Sequence, residues 1–285
     1  MMVALVKAEF RKIFTTSLWW GMLAPVVLLG FGAGSLGGPM AALIDSVQEL
    51  DRPVPLGLLA LSMSTNFSTI FAGLFGAMAF AGEHRNRTIS TTYLTGNPRG
   101  AVLAAKLLAY SGIGLIYGVT NVLFASLGSL VGAGMDFGTF GSLADWLSVG
   151  AAGVLTMVLW TVLGVGFGAL VANAVLAVIL PLIYKFMVEF ILSLVLIGSP
   201  ISGVSPYLPG TAGNGIVANM AVPLFVSAVA GPDEPNTPRA IFEILHFFFG
   251  GSYGHPWWAS LLTFVGYAAV FIAGGWLAGR RRDIA

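Results

Sequence analysis

Cysteine is absent from these 285 residues, and charge is scarce, with Asp, Glu, Lys and Arg together making up 9%. The first absence excludes disulfides, thiolate metal sites and cysteine nucleophiles. The second excludes a conventional soluble domain, in which about 25% of residues are charged. Apolar residues fill the chain instead: 57% are hydrophobic, and the mean hydropathy is +0.90. So few charges cannot cover a water-facing globule of this size. Most side chains must face hydrocarbon or one another, as in an all-α polytopic membrane protein. Catalytic signatures are missing too. None of the four lysines follows a glycine, so there is no G-x-x-x-x-G-K-[ST] phosphate loop. H-E-x-x-H does not occur, and no catalytic residue is assigned.

A helix that crosses a bilayer needs about 20 mostly apolar residues, because its backbone must be bonded internally. Six windows qualify: 18–36, 66–82, 101–131, 146–171, 174–197 and 257–278. The basic residues choose their orientation. Lys7, Arg11, Lys12, Arg85, Arg87, Arg99, Lys106, Arg280, Arg281 and Arg282, ten of the thirteen, fall at one face. Arg52 and Arg239 fall at the other face, and Lys185 lies inside the fifth window. The positive-inside bias then places both termini and the segment between the second and third windows in the cytoplasm. A further apolar run, 215–230, is short and contains Pro223, so it is expected to be a re-entrant or interfacial helix on the outside.

The chain is thus read as a single transmembrane domain over 1–285. Residues 1–17 carry Val3, Val6, Phe10, Ile13 and Phe14 on one helical face, the pattern of an amphipathic helix lying in the cytoplasmic interface. Residues 18–82 hold spans one and two, 100–198 spans three to five, and 257–285 span six with a basic tail. Outside, Met40, Leu43, Ile44, Val47 and Leu50 predict a surface helix ended by Pro53 and Pro55. The long external loop, 199–256, is expected to hold re-entrant and amphipathic helices, one of them over 238–249. His84, His246 and His255 fall in loops on opposite sides of the membrane, and no metal site is assigned.

Three polar features interrupt this pattern. Lys185 and Glu189 lie four residues apart in the fifth span, after Pro181. Charges at that depth cost at least about 2.5–3.5 kcal/mol each, so they should face protein or water. They read either as an ion pair that fixes packing or as a polar element of a transport path or gate. Glycines at four-residue spacing, Gly114 with Gly118, Gly128 with Gly132 and Gly164 with Gly168, predict close helix approach. Asn121 and Asn173 are candidates for interhelical hydrogen bonds. The cytoplasmic stretch 83–99, continuing to Lys106, combines cations, a Thr/Ser cluster and a Gly96-Asn97-Pro98 break. A short helix over 88–95 would make it a small knob suited to a soluble partner's groove, or it is an ordinary inner loop whose cations fix topology.

That stretch, with Glu83, Arg85, Arg87, Thr88, Ile89, Tyr93, Leu94, Pro98, Arg99 and Lys106, resembles the membrane permease subunits of ABC-2 type transporters, particularly actinobacterial ones. The start, with Glu9 and Lys12, is similar to their N-terminal elbow helix, and Glu189 followed by Tyr207-Leu208-Pro209-Gly210 also matches their pattern. Arg87 stands where many members have glycine, and Asn97 replaces a commoner apolar or small residue.

The resemblance implies a six-span, type V exporter-like fold in a bacterial plasma membrane. It implies a second permease copy, as homodimer or heterodimer, and a separate nucleotide-binding subunit. That subunit would carry ATP and Mg and dock on the coupling segment through Glu83, Arg85, Arg87, Thr88, Pro98 and Arg99. This chain would then hold no cofactor and would not be an enzyme; it would export a hydrophobic or amphipathic substrate, in contact with membrane lipid and with no nucleic acid. Lys185 and Glu189 would be the polar point of the path. Two alternatives stand beside this one: an ion-gradient-driven transporter and a non-transporting membrane anchor subunit.

Overall fold

A computed structural model describes residues 2–37, 39–40, 54–85, 98–197, 199–230 and 239–281, and among these helices are the only regular structure. The elements are α1 (Met2–Phe14), α2 (Leu18–Ser35), α3 (Leu56–Arg85), α4 (Arg99–Gly132) and α5 (Leu143–Val171). There follow α6 (Ala174–Ile183), one stretch of π-helix (Tyr184–Glu189) and α7 (Phe190–Leu196), which together form one broken rod. The chain ends with α8 (Pro209–Ala230), α9 (Arg239–Phe249) and α10 (Trp257–Arg281). The surface helix expected around 40–50 and the coupling helix expected over 88–95 fall on or beyond the edge of the described residues.

Local chemistry sets the boundaries. Ser142 and Asp145 form a reciprocal capping box at the start of α5. At its other end Ala172 adopts a left-handed conformation (φ 51°), and the Asn173 side chain accepts from the Val175 and Leu176 amides to start α6. Asn173 therefore caps its own helix, and among the described residues it makes no interhelical bond. Helix α3 begins at Leu56, ten residues before the apolar window, because its polar stretch is satisfied internally. Ser62 donates to the Phe249 carbonyl (3.0 Å), and Ser64 donates to Asn121 Oδ1 (2.6 Å). Asn121 in turn donates to Thr65 Oγ1 (3.1 Å). A window scored on hydropathy excludes such residues, but a buried hydrogen-bonded network accommodates them.

The glycine pairs lie at the tightest crossings. A Cβ on Gly164 or Gly168 would strike the backbone carbonyls of Gly73 or Ala77, which locks α5 onto α3. Gly128 and Gly132 meet Phe31 and Ser35 of α2 in the same way. Without these side chains the backbones approach closely enough for extended van der Waals contact, the main attraction between helices in lipid.

Among the described residues seven helices, one more than the six windows, are long and apolar enough to cross a membrane. The addition is α8, which starts at Pro209 rather than near 215 and so gains a turn and a half. Its packing shows how far it reaches. Asn214 bonds Asn66 and Thr69 on α3, while Val217, Ala221 and Val222 join a cluster with Leu56, Leu58 and Leu61. Helix α8 thus runs antiparallel to α3 along the Leu56 end. The Arg85 end of α3, on the order of 20 Å at 1.5 Å per residue, lies beyond the start of α8.

Candidate functional site

Two polar constellations stand out from the apolar bundle, one at the Arg85 end of α3 and one near Asn66. The first joins three elements. Lys106, on the second turn of α4 and 1% exposed, donates to Glu9 Oε2 of α1 and to Glu83 Oε1 of α3, both at 2.8 Å. Lys12 of α1 repeats the pattern, donating to Glu9 Oε1 and Glu83 Oε1, again at 2.8 Å. Among the described residues two ammonium groups and two carboxylates alternate in this cluster. The Lys106 ammonium also lies 5.2 Å from the centre of the Phe80 ring. Burial alone would lower the Lys12 pKa, yet the hydrogen bonds and charges of Glu83 and Glu9 hold it above its usual 10.5.

The cluster pins the amphipathic helix to the two spans that bracket residues 86–97. Around it, Ile13 of α1 packs with Ile113 and Tyr117 of α4 and Val26 of α2. Tyr117 donates to the Trp19 carbonyl at 2.5 Å. Any displacement of the chain leaving α3 or entering α4 at this end must therefore move α1 as well.

Not every residue expected on the coupling segment faces a partner. Glu83 turns into the cluster, its side chain only 12% exposed. Arg99, the first residue of α4, donates from Nη1 to the carbonyls of Gly279 (2.6 Å) and Arg280 (3.1 Å). It thereby caps the C-terminal end of α10, where carbonyls lack helical partners and a cation is favoured. Pro98 sets the turn just before α4. Arg85 ends α3, with its side chain outside the described residues, and Arg87 and Thr88 lie outside them altogether.

The second constellation is built on the π-helical turn. Pro181 cannot donate to the helix ladder, and the regular α pattern gives way three residues later. Lys185 and Glu189 leave this turn for different neighbours and form no ion pair with each other. Lys185 donates to the Asn66 carbonyl (2.5 Å) and to Thr69 Oγ1 (2.8 Å) of α3, and lies 4.8 Å from the centre of the Trp160 ring. Glu189, buried, accepts from the Gly210 amide (2.8 Å), the Thr211 amide (2.5 Å) and the Thr211 hydroxyl (3.0 Å). Pro209 supplies no N–H at the first position of α8, so this carboxylate satisfies the next two amides and faces the positive end of the helix. A Cβ on Gly210 would come within 2.5 Å of Glu189 Oε2, so glycine keeps the cap open. Beside them Asn214 donates to Asn66 Oδ1 at 2.5 Å. A cavity of about 710 Å³ opens over this polar floor, bounded by the π-turn, α7, α8, α9 and the loop after α9.

Sequence reading singled out Glu9, Lys12, Lys185 and Glu189, and each lies in one of these two clusters. It did not single out Lys106 as the centre of the first cluster, or Asn66, Thr69, Trp160, Thr211 and Asn214 in the second. Lys106 had a signal: it stands eight positions into an apolar helix, where a lysine needs a partner. Glu9 and Glu83, acids at the basic face, are the partners it bonds. No group of three or more His, Cys, Asp or Glu positioned to hold a metal occurs among the described residues.

These features sit within a recognisable class of membrane protein. The family model described as "ABC-2 family transporter protein" matches residues 5–196, from α1 to the end of α7. The chain belongs to that family. No curated protein matches it in the comparison made.

Proposed function

We propose that this chain is the permease subunit of an ATP-binding cassette exporter. In this reading it pairs with a second permease copy in a bacterial plasma membrane and draws energy from a separate nucleotide-binding subunit that docks on residues 83–99. One observation carries the reading: the Glu9–Lys12–Glu83–Lys106 cluster, closed around the buried Lys106. It welds the interfacial helix to the two spans that flank the cytoplasmic segment, so a push on that segment is delivered to the bundle as one rigid unit. The lack of a phosphate loop in the sequence agrees with a motor carried by another chain. The docking contacts then fall to the residues between Glu83 and Arg99, while Glu83 and Arg99 act as the hinges that anchor them.

The topology that fits is six crossings with both ends cytoplasmic. In it α8 enters from the outer face, begins beside Glu189 and returns outward, leaving the basic residues of α10 on the same side as Lys7 and Arg99. Lys185 and Glu189 belong to the path, at the place where the fifth span is broken. The test is to purify the chain in mild detergent with its co-purifying subunits. An ATP-hydrolysing subunit should accompany it, and Glu83→Gln should cut substrate-stimulated hydrolysis while the protein stays in the membrane. A chain that binds no such subunit, or a fully coupled Glu83→Gln complex, would refute the proposal.

A further inference from the structure

We propose, resting on the reading of Lys185 and Glu189 as part of the transport path, that the 710 Å³ cavity binds an amphipathic organic anion. The charged group would sit on Lys185 and the apolar body against the phenylalanines of the rim. The volume falls in the range of about 300–1,000 Å³ typical of small-molecule sites. The two charges of the π-turn face the cavity but are not equivalent. Glu189 accepts three hydrogen bonds from α8, and its charge faces the positive end of that helix. Lys185 is held by two neutral oxygens and an aromatic face, with no carboxylate in contact. An ammonium has three donors, and the third is left for a ligand.

Lys185 is therefore the charged group of the cavity that still has a hydrogen-bond donor to offer. Glu243 also lines the wall, on α9, but already engages another group. Above the floor, Phe67, Phe186, Phe190 and Phe248 remain exposed around the opening. Their rings suit an acyl chain or aromatic body, while Asn66 and Asn214 lock the floor by bonding each other. Such an anion has two sources: the headgroup of an anionic bilayer lipid, or a single-chain anion taken from solution.

The test uses the full chain in phosphatidylcholine nanodiscs, with radiolabelled laurate as the probe and empty nanodiscs as background. Saturable binding is expected. Loss of a hydrogen bond to a charged group, worth about 1.5–3 kcal/mol, should make Lys185→Met at least about tenfold weaker, while Lys185→Arg retains binding. Dodecyltrimethylammonium should fail to displace laurate from the unmodified chain, an arm that needs no variant to fold. Adding phosphatidylglycerol to the nanodisc assigns the source: competition points to the bilayer lipid, and undiminished binding to a dissolved anion. Displacement by the cation, absence of saturable binding, or equal affinity in a folded Lys185→Met chain would overturn the inference. Binding is read on the permease alone, so its failure would leave the ATPase partnership standing, and failure of that partnership would leave the binding measurable.

Discussion

Lys106 is the residue whose loss should be felt most. Its ammonium is enclosed, and both carboxylates it bonds are turned inward, so Lys106→Met leaves Glu9 and Glu83 without their most buried cation. Breaking one side of a buried ion cluster costs about 3–5 kcal/mol, whereas replacing all members by apolar groups is often nearly neutral. Unfolding of the purified chain in detergent should show that loss for Lys106→Met. Lys12→Met should lose less, because its side chain is 47% exposed. Equal small losses at both lysines would contradict the geometry.

Lys185 and Glu189 bond different helices, so although they lie one turn apart the coupling between Lys185→Met and Glu189→Gln should stay near the lower limit of about 0.5 kcal/mol for neighbouring residues. Coupling well above that in the double variant would mean that they act as a pair. The sequence exposed these two residues because charges are conspicuous in an apolar run. Their divergence was not legible, since i,i+4 spacing predicts a shared face and says nothing of Asn66 or Gly210 waiting on other elements.

At the scale of the elements, periodicity and capping chemistry made most of the bundle legible. The amphipathic α1 and α9 and the glycine-spaced crossings of α4 and α5 follow the pattern of their residues. Two boundaries did not. The start of α3 hides in a serine- and threonine-rich stretch that only tertiary hydrogen bonds make tolerable. The start of α8 depends on a carboxylate twenty residues earlier in the chain.

Helix α9 carries a further consequence. His246 is 3% exposed, and its Nδ1 lies 2.7 Å from the Phe242 carbonyl. Burial pushes its pKa below 6.5, opposed by that carbonyl contact. The neutral form is favoured in the fold, so this contribution to stability is present above about pH 6.5 and is lost as pH falls through the lower folded value. The protection factors of the α9 amides, taken relative to intrinsic exchange at each pH, should fall on acidification below that pH, and His246→Asn should blunt the change. An unaltered acid response in the variant would place the titrating group elsewhere.

For the whole molecule, the membrane class was evident from scarce charge, and the family resemblance from the order of motifs along the chain. The number of crossings was less accessible, because a run such as 209–230 meets the length and composition of a span whether or not it crosses. Packing supplies what composition lacks: α8 begins beside Glu189 and Asn66 and runs back toward Leu56. With no native cysteine, single introduced cysteines report topology without background. In intact cells, Thr92→Cys and Ala285→Cys should both resist an impermeant maleimide, as six crossings require. Protection of the first with labelling of the second would establish seven.

A cytoplasmic motor that drives this bundle through residues 83–99 should be caught by cross-linking from Thr92→Cys in the actively transporting complex. A single dominant cross-link to an ATP-binding subunit, weakened when Lys106→Met loosens the joint, is the predicted result. Labelling of that position from outside the cell, or an active complex in which it touches no other subunit, would contradict the account.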